Sequence, residues 1–103
     1  FDSGSDKIKA ESYKTLSEIG ALLTDSPTLR VSIEGHTDSD GADAANLGLS
    51  QKRAESVKIY LVDNHKIAAD RLETKGWGET KPIDKNLSPE GKANNRRVEL
   101  VKL

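Results

Sequence analysis

Asp38 and Arg53 carry opposite charges near the two ends of one polar, glycine-rich stretch, Gly35 to Ala54. An alternating run of residues leads into that stretch and an amphipathic run leads out of it. Such a layout suits a ligand that bears both an ammonium and a carboxylate. Asp38 offers a carboxylate to the ammonium. Arg53 offers a planar guanidinium, which binds a carboxylate bidentately. Gly35, Gly41 and Gly48 permit unusual backbone angles and close approach of a ligand. Asn46 supplies a donor and an acceptor to a ligand or to its own loop. Two plainer readings stand beside this one. Asp38 caps a turn, as loop aspartates commonly do, and Arg53 is a solvated helix residue or pairs with Asp38 itself.

The elements that must position these residues follow from periodicity. Leu29 to Glu34 alternates strictly, which predicts a strand with one buried face. Asp38 then lies just beyond its carboxyl end, where open α/β sheets place ligands. Ser50 is a good N-cap for a helix to about Asn64, with Ala54, Val57 and Leu61 on its apolar stripe. On this placement the loop runs from Gly35 to Leu49, and Lys52 and Arg53 fall in the first helical turn. Cations there oppose the helix dipole by roughly 0.3–1 kcal/mol each, while the backbone N–H groups attract anions. A function at that position accounts for the cost.

Before the strand, Tyr13, Leu16, Ile19, Gly20 and Leu23 recur at helical spacing between Lys7 and Thr24. Ser3 or Ser5 can cap this helix, and Asp25-Ser26-Pro27 ends it. After the second helix, Leu72 to Lys75 is a short strand closed by Gly76-Trp77-Gly78. Lys81 to Asn94 is mostly loop, with one helical turn after Ser88-Pro89. Arg97 to Leu103 alternates again, placing Val98 and Leu100 on one face. Phe1-Asp2 reads as a strand end. Strand, helix, strand in that order predicts a right-handed crossover between parallel strands. The fold class is therefore α/β: a two-layer sandwich with a mixed sheet of about four strands and helices packed on one face.

The 103 residues fit a single domain spanning 1–103. A chain of this size buries roughly 60–70% of its unfolded surface, enough for a modest core. It has no cysteine, so disulfides and thiolate metal sites are excluded. Net charge is -1 with 32% charged residues, which argues against nucleic acid or an anionic membrane as partner. No apolar run approaches the ~20 residues that span a bilayer, so direct membrane insertion by this stretch is not expected. Phe1 is an unusual first residue, and the expectation is a fragment or processed product whose signal or anchor lies elsewhere.

Two ordered blocks of residues suggest a family. The first is Gly35-His36-Thr37-Asp38, then Gly41, Asn46, Leu49-Ser50 and Arg53-Ala54. The second is Gly76-Trp77-Gly78-Glu79, Pro82-Ile83, Asn86, Gly91 and Asn95-Arg96-Arg97-Val98-Glu99. With Phe1-Asp2 and Ser5 at the start, they resemble the OmpA-like peptidoglycan-binding domain over nearly the whole chain. The resemblance implies a βαβαβ-type sandwich that holds peptidoglycan noncovalently, without catalysis or cofactor. It implies as ligand the diamino acid of the stem peptide, usually meso-diaminopimelate, and a periplasmic domain tethered to an outer-membrane anchor or, less often, an inner-membrane one. Asp38 then takes the ammonium and Arg53 a carboxylate. Arg96 is implied as a second carboxylate contact, with Asn46, Thr37 and Asp2 lining the pocket.

Other features carry less. His36 follows a strand and is expected to hold the loop by hydrogen bonding. His36 and His65 are far apart and, without cysteine, do not make a zinc site. Asp38-Ser39-Asp40-Gly41 lacks the glutamate and glycine positions of a calcium loop. Trp77 is read as packing or half-buried surface rather than a stacking platform. Of Arg96 and Arg97, alternation sends one toward the pocket and the other away. Two rival functions remain: a protein–protein interaction module of the cell envelope without wall binding, and a small hydrolase using His36 and Asp38.

Overall fold

A computed structural model describes residues 7–9, 12–81, 83 and 88–103. Its elements are α1 (Tyr13–Asp25), β1 (Val31–Gly35), α2 (Asp43–His65), a 3-10 turn at Ala69–Arg71, β2 (Leu72–Gly76), α3 (Pro89–Asn95) and β3 (Val98–Lys102). The sheet order is β2-β1-β3, with β1 in the middle. β1 runs parallel to β2, pairing Val31 with Leu72 and Gly35 with Gly76. It runs antiparallel to β3, pairing Val31 with Lys102 and Gly35 with Val98. This is the expected mixed α/β sheet, with three strands among the described residues. The strand expected at Phe1-Asp2, and the caps at Ser3 or Ser5, lie outside them.

The core forms where the apolar stripes meet one sheet face. Val31, Ile33 and Leu72 from the sheet meet Leu16 and Leu23 of α1 and Ala54, Val57 and Leu61 of α2. Val98 and Leu100 pack against this cluster, while Glu99 and Val101 are exposed on the other face. The parity of β3 is thus the expected one. α1 begins at Tyr13 rather than Lys7, and Ile8, outside the helix, packs against the core.

The largest departure is the start of α2. It begins at Asp43, and its 23 residues include Asn46, Leu47 and Gly48. Ser50 is therefore no cap: its hydroxyl bonds back to Leu47 O at 2.8 Å, inside the helix. Alanines at 44 and 45 favour helix. Asp43 in the first turn complements the dipole. Together they offset Gly48, which costs roughly 1 kcal/mol relative to alanine. Arg53 consequently sits about three turns inside the helix, and the argument from an opposed dipole does not apply to it or to Lys52.

α3 is longer than the single turn expected. Ser88 caps it by accepting a bond from Gly91 N at 3.0 Å, and Pro89 occupies the first turn. Among the described residues no helix is long and apolar enough to cross a membrane.

Candidate functional site

The site is built where β1 ends. The chain leaving Gly35 stays stitched to both neighbouring strand ends: His36 N donates to Arg97 O at 2.8 Å, Thr37 N to Gly78 O at 2.9 Å, and Trp77 N to Gly35 O at 3.0 Å. Thr37 is buried, and its hydroxyl donates to Asp38 O at 2.9 Å. The loop then turns at Gly41, whose φ of +88° is unfavourable for a residue with a Cβ.

α2 lies hard against these strand ends because two glycines admit it. A Cβ at Gly35 would overlap the Ser50 carbonyl, and one at Gly76 would come within 2.6 Å of Gln51 N. Ser50, fully buried, accepts a bond from Gly78 N at 2.9 Å. This close approach places Asn46 under the loop. Its amide nitrogen reaches Asp40 O at 2.9 Å, Asp38 O at 3.4 Å and Glu79 Oε1 at 3.4 Å.

Asp38 is 4% exposed. Its Oδ1 accepts from Asp40 N at 3.0 Å, so it does cap its own turn. Its Oδ2 accepts from Arg96 Nη1 at 2.7 Å, a charge-assisted bond. Arg96 follows α3 directly, and Lys92 on α3 reaches Asp40 Oδ1 at 3.2 Å. One cation on this short helix and one just past its end thus fasten the Asp38 loop. Arg53 is fully buried, which rules out the solvated-helix reading, and its Nη1 donates to His36 O at 2.8 Å.

The fold therefore gathers Asp38, Arg96, Asn46 and Thr37 at one loop, with Arg53 holding the residue that precedes it. Asp2 lies outside the described residues. Arg97 takes a separate course, bonding Glu99 Oε2 at 2.6 Å and Lys81 O at 2.8 Å. The expectation for His36 needs correction. Its backbone holds the loop, whereas among the described residues neither ring nitrogen has a hydrogen-bond partner. Burial, and next the Arg97 guanidinium, hold its pKa below the usual 6.5.

Glu79 and Lys92 were given no role in the sequence. Glu79 hydrogen-bonds the Asp43 carboxyl, which raises its pKa, while the bond from Asn46 acts the other way. Asp43 and Glu79 are distant in sequence, and only the packing of α2 beside the β2 turn brings them together. Trp77 is half-buried, with its indole N–H on Glu34 Oε1 at 2.7 Å. Among the described residues no three histidine, aspartate or glutamate side chains converge as metal ligands.

The model of the OmpA family matches residues 1–96. Outer membrane porin F of Pseudomonas aeruginosa is 38% identical over 99 residues, 96% of this chain and 28% of that protein. Peptidoglycan-binding protein ArfA of Mycobacterium tuberculosis is 41% identical over 100 residues, 97% of this chain and 30% of that protein. The chain thus spans less than a third of either relative. The crystal structure of the peptidoglycan-associated lipoprotein from Burkholderia pseudomallei superimposes with a TM-score of 0.93 at 30% identity, covering 100% of this chain and 86% of that one.

Proposed function

The chain belongs to the OmpA family, and we propose that its Asp38 site binds peptidoglycan noncovalently through the diamino acid of the stem peptide, meso-diaminopimelate. On this reading the domain is non-catalytic and periplasmic. It fastens an outer-membrane protein or lipoprotein, through a tether outside this stretch, to the cell wall. The names of ArfA and of the Burkholderia lipoprotein support the wall as partner.

The observation that carries the reading is the Asp38–Arg96 pair, 2.7 Å apart with side-chain exposures of 5% and 17%. A zwitterionic end can enter such a pair by exchange. Its ammonium takes Asp38 and its carboxylate takes Arg96, so no charge is left uncompensated in a poorly solvated site. Arg53, fully buried beneath the loop, is the deeper carboxylate partner on this reading. Asn46 and Thr37 keep the loop shaped around Asp38 before any ligand arrives, and Asp2 completes the proposed lining.

The test is calorimetric titration with a soluble diaminopimelate stem peptide. Saturable binding is expected in the wild type. Asp38→Ala truncates a largely buried partner, and such truncations cost roughly 2–5 kcal/mol. Part of this is offset because the variant has no internal pair to break, leaving a loss of about tenfold or more. A folded wild type that fails to bind the peptide would count against the assignment.

A further inference from the structure

The sheet face turned away from the helices carries a groove of about 520 Å³, lined by Glu34, His36, Trp77, Lys81, Arg97 and Glu99 among others. Its charges are satisfied locally. Arg97 bonds Glu99 at 2.6 Å, Glu34 accepts the Trp77 N–H at 2.7 Å, and Lys81 Nζ lies 3.7 Å from the Trp77 ring centroid. His36 is the exception. It is 3% exposed, and among the described residues neither of its ring nitrogens has a hydrogen-bond partner. Glu99 Oε2 stands 3.4 Å from Nε2 but out of line for a hydrogen bond.

A neutral imidazole needs an acceptor for its N–H and a donor for its other nitrogen. Leaving buried polar atoms unmatched is costly. An anion entering the groove meets Glu34 and Glu99, and a cation meets Lys81 and Arg97. A neutral, hydroxyl-rich ring meets neither obstacle, because each hydroxyl both donates and accepts. Trp77, with Lys75 and Lys81 over its ring at 4.1 and 3.7 Å, forms an aromatic wall edged by ammonium donors.

We propose that this groove binds N-acetylhexosamine units of the wall glycan while the stem peptide occupies the Asp38 site. The proposal rests on the function proposed above and extends it from the peptide to the sugar. Continuity favours one polymer for both. His36 and Asp38 are two positions apart, so their Cα atoms are within about 7 Å. A three-residue segment of stem peptide spans up to about 10 Å, enough to join a sugar in the groove to a diamino acid at Asp38.

Trp77 is the single tryptophan of the chain, so its fluorescence reports on the groove directly. The probe is tri-N-acetylchitotriose. A saturable emission change is expected in the wild type, with the same midpoint in Asp38→Asn. Val101→Arg places bulk on an exposed groove wall, away from Asp38, and should weaken that binding at least tenfold. In calorimetry, a stem peptide carrying its disaccharide should bind at least tenfold tighter than the free peptide. That advantage should vanish in Val101→Arg and in His36→Phe, each checked for folding by circular dichroism. Equal affinities for the two peptides in the wild type, with no saturable response to chitotriose, would overturn the proposal. Oligosaccharide binding without stem-peptide binding supports the groove and removes the Asp38 assignment instead.

Discussion

Replacing Arg96 with glutamine tests the proposed division of charges through a ratio of affinities rather than a single one. In the folded domain Arg96 Nη1 already holds Asp38 Oδ2 at 2.7 Å. Any ammonium that binds must first take Asp38 from Arg96. That cost is the same for a stem peptide ending in diaminopimelate and for one ending in lysine, so it cancels from the ratio of their dissociation constants. What survives is the extra carboxylate of diaminopimelate and its guanidinium partner. Side-chain exposures of 17% and 5% place this contact between a surface pair and a buried one. Exposed pairs contribute about 0–1 kcal/mol and truncated buried ones cost roughly 2–5. A working value of about 2 kcal/mol corresponds to a preference of ~30-fold.

Wild type should therefore prefer the diaminopimelate peptide by about 30-fold, and Arg96→Gln should compress that preference below about threefold. The absolute affinity for the lysine peptide should rise in the same variant, because Asp38 no longer has to leave a guanidinium. Calorimetric titration of both peptides into both proteins gives the four constants. A wild-type ratio near one refutes the carboxylate contact. A ratio that survives Arg96→Gln and collapses in Arg53→Gln reassigns the carboxylate to Arg53.

Three further outcomes follow from other parts of the fold. Arg71 donates to Leu29 O, Leu23 O and Ser26 O at 3.0, 2.8 and 2.7 Å, tying the end of α1 to the approach of β1. Arg71→Ala should cost about 2 kcal/mol, lowering the thermal midpoint by roughly 8–16 °C with ligand affinity unchanged. His36 has its pKa depressed by burial, so below about pH 6.5 the unfolded chain takes up a proton that the native state refuses. Stability is then complete above that pH and declines as pH falls, and the decline in thermal midpoint should be shallower in His36→Gln. Glu79 has its pKa raised by the Asp43 carboxyl, so its contribution is complete in acid and lost as pH rises through its native pKa. Glu79→Gln should melt higher than wild type at neutral pH, the two converging in acid; a variant less stable at neutral pH contradicts the shared proton.

Strong periodicity made much of the fold legible. The alternation around Val31 and Ile33, the stripe of Leu16, Gly20 and Leu23, and the parity of Val98 and Leu100 each set a buried face. The two motif blocks named Asp38 and Arg96 as parts of one pocket. Spacing could not show that they bond each other, because nothing local links residues on different elements. The start of α2 was misread for a local reason. Asn46, Gly48 and Ser50 favour loops and caps on their own, whereas in the fold Leu47, Ser50 and Gln51 pack against Gly35 and Gly76 within one continuous helix. His36 failed in the same way, since only the fold reveals that its imidazole turns into a sheet face where the described residues leave it without a partner.

The earlier start of α2 bears on how the site works. Were residues up to Leu49 a flexible loop, ordering them would cost about 1–2 kcal/mol of backbone entropy per residue on binding. Instead Asn46 stands on a helix whose backbone touches two strand ends. From there it braces the carbonyls of both Asp38 and Asp40. Arg53 on the same helix fixes the carbonyl of His36 from within the core. The flanks of Asp38 are thus held by rigid elements in the free domain, the condition for placing a charge accurately before a ligand arrives. On the proposed function, a wall polymer would meet a carboxylate already shaped and already paired, and its binding would be an exchange of partners. Such an exchange favours ligands that supply both charges at once, because one that brings only the ammonium takes Asp38 from Arg96 and returns no carboxylate in its place.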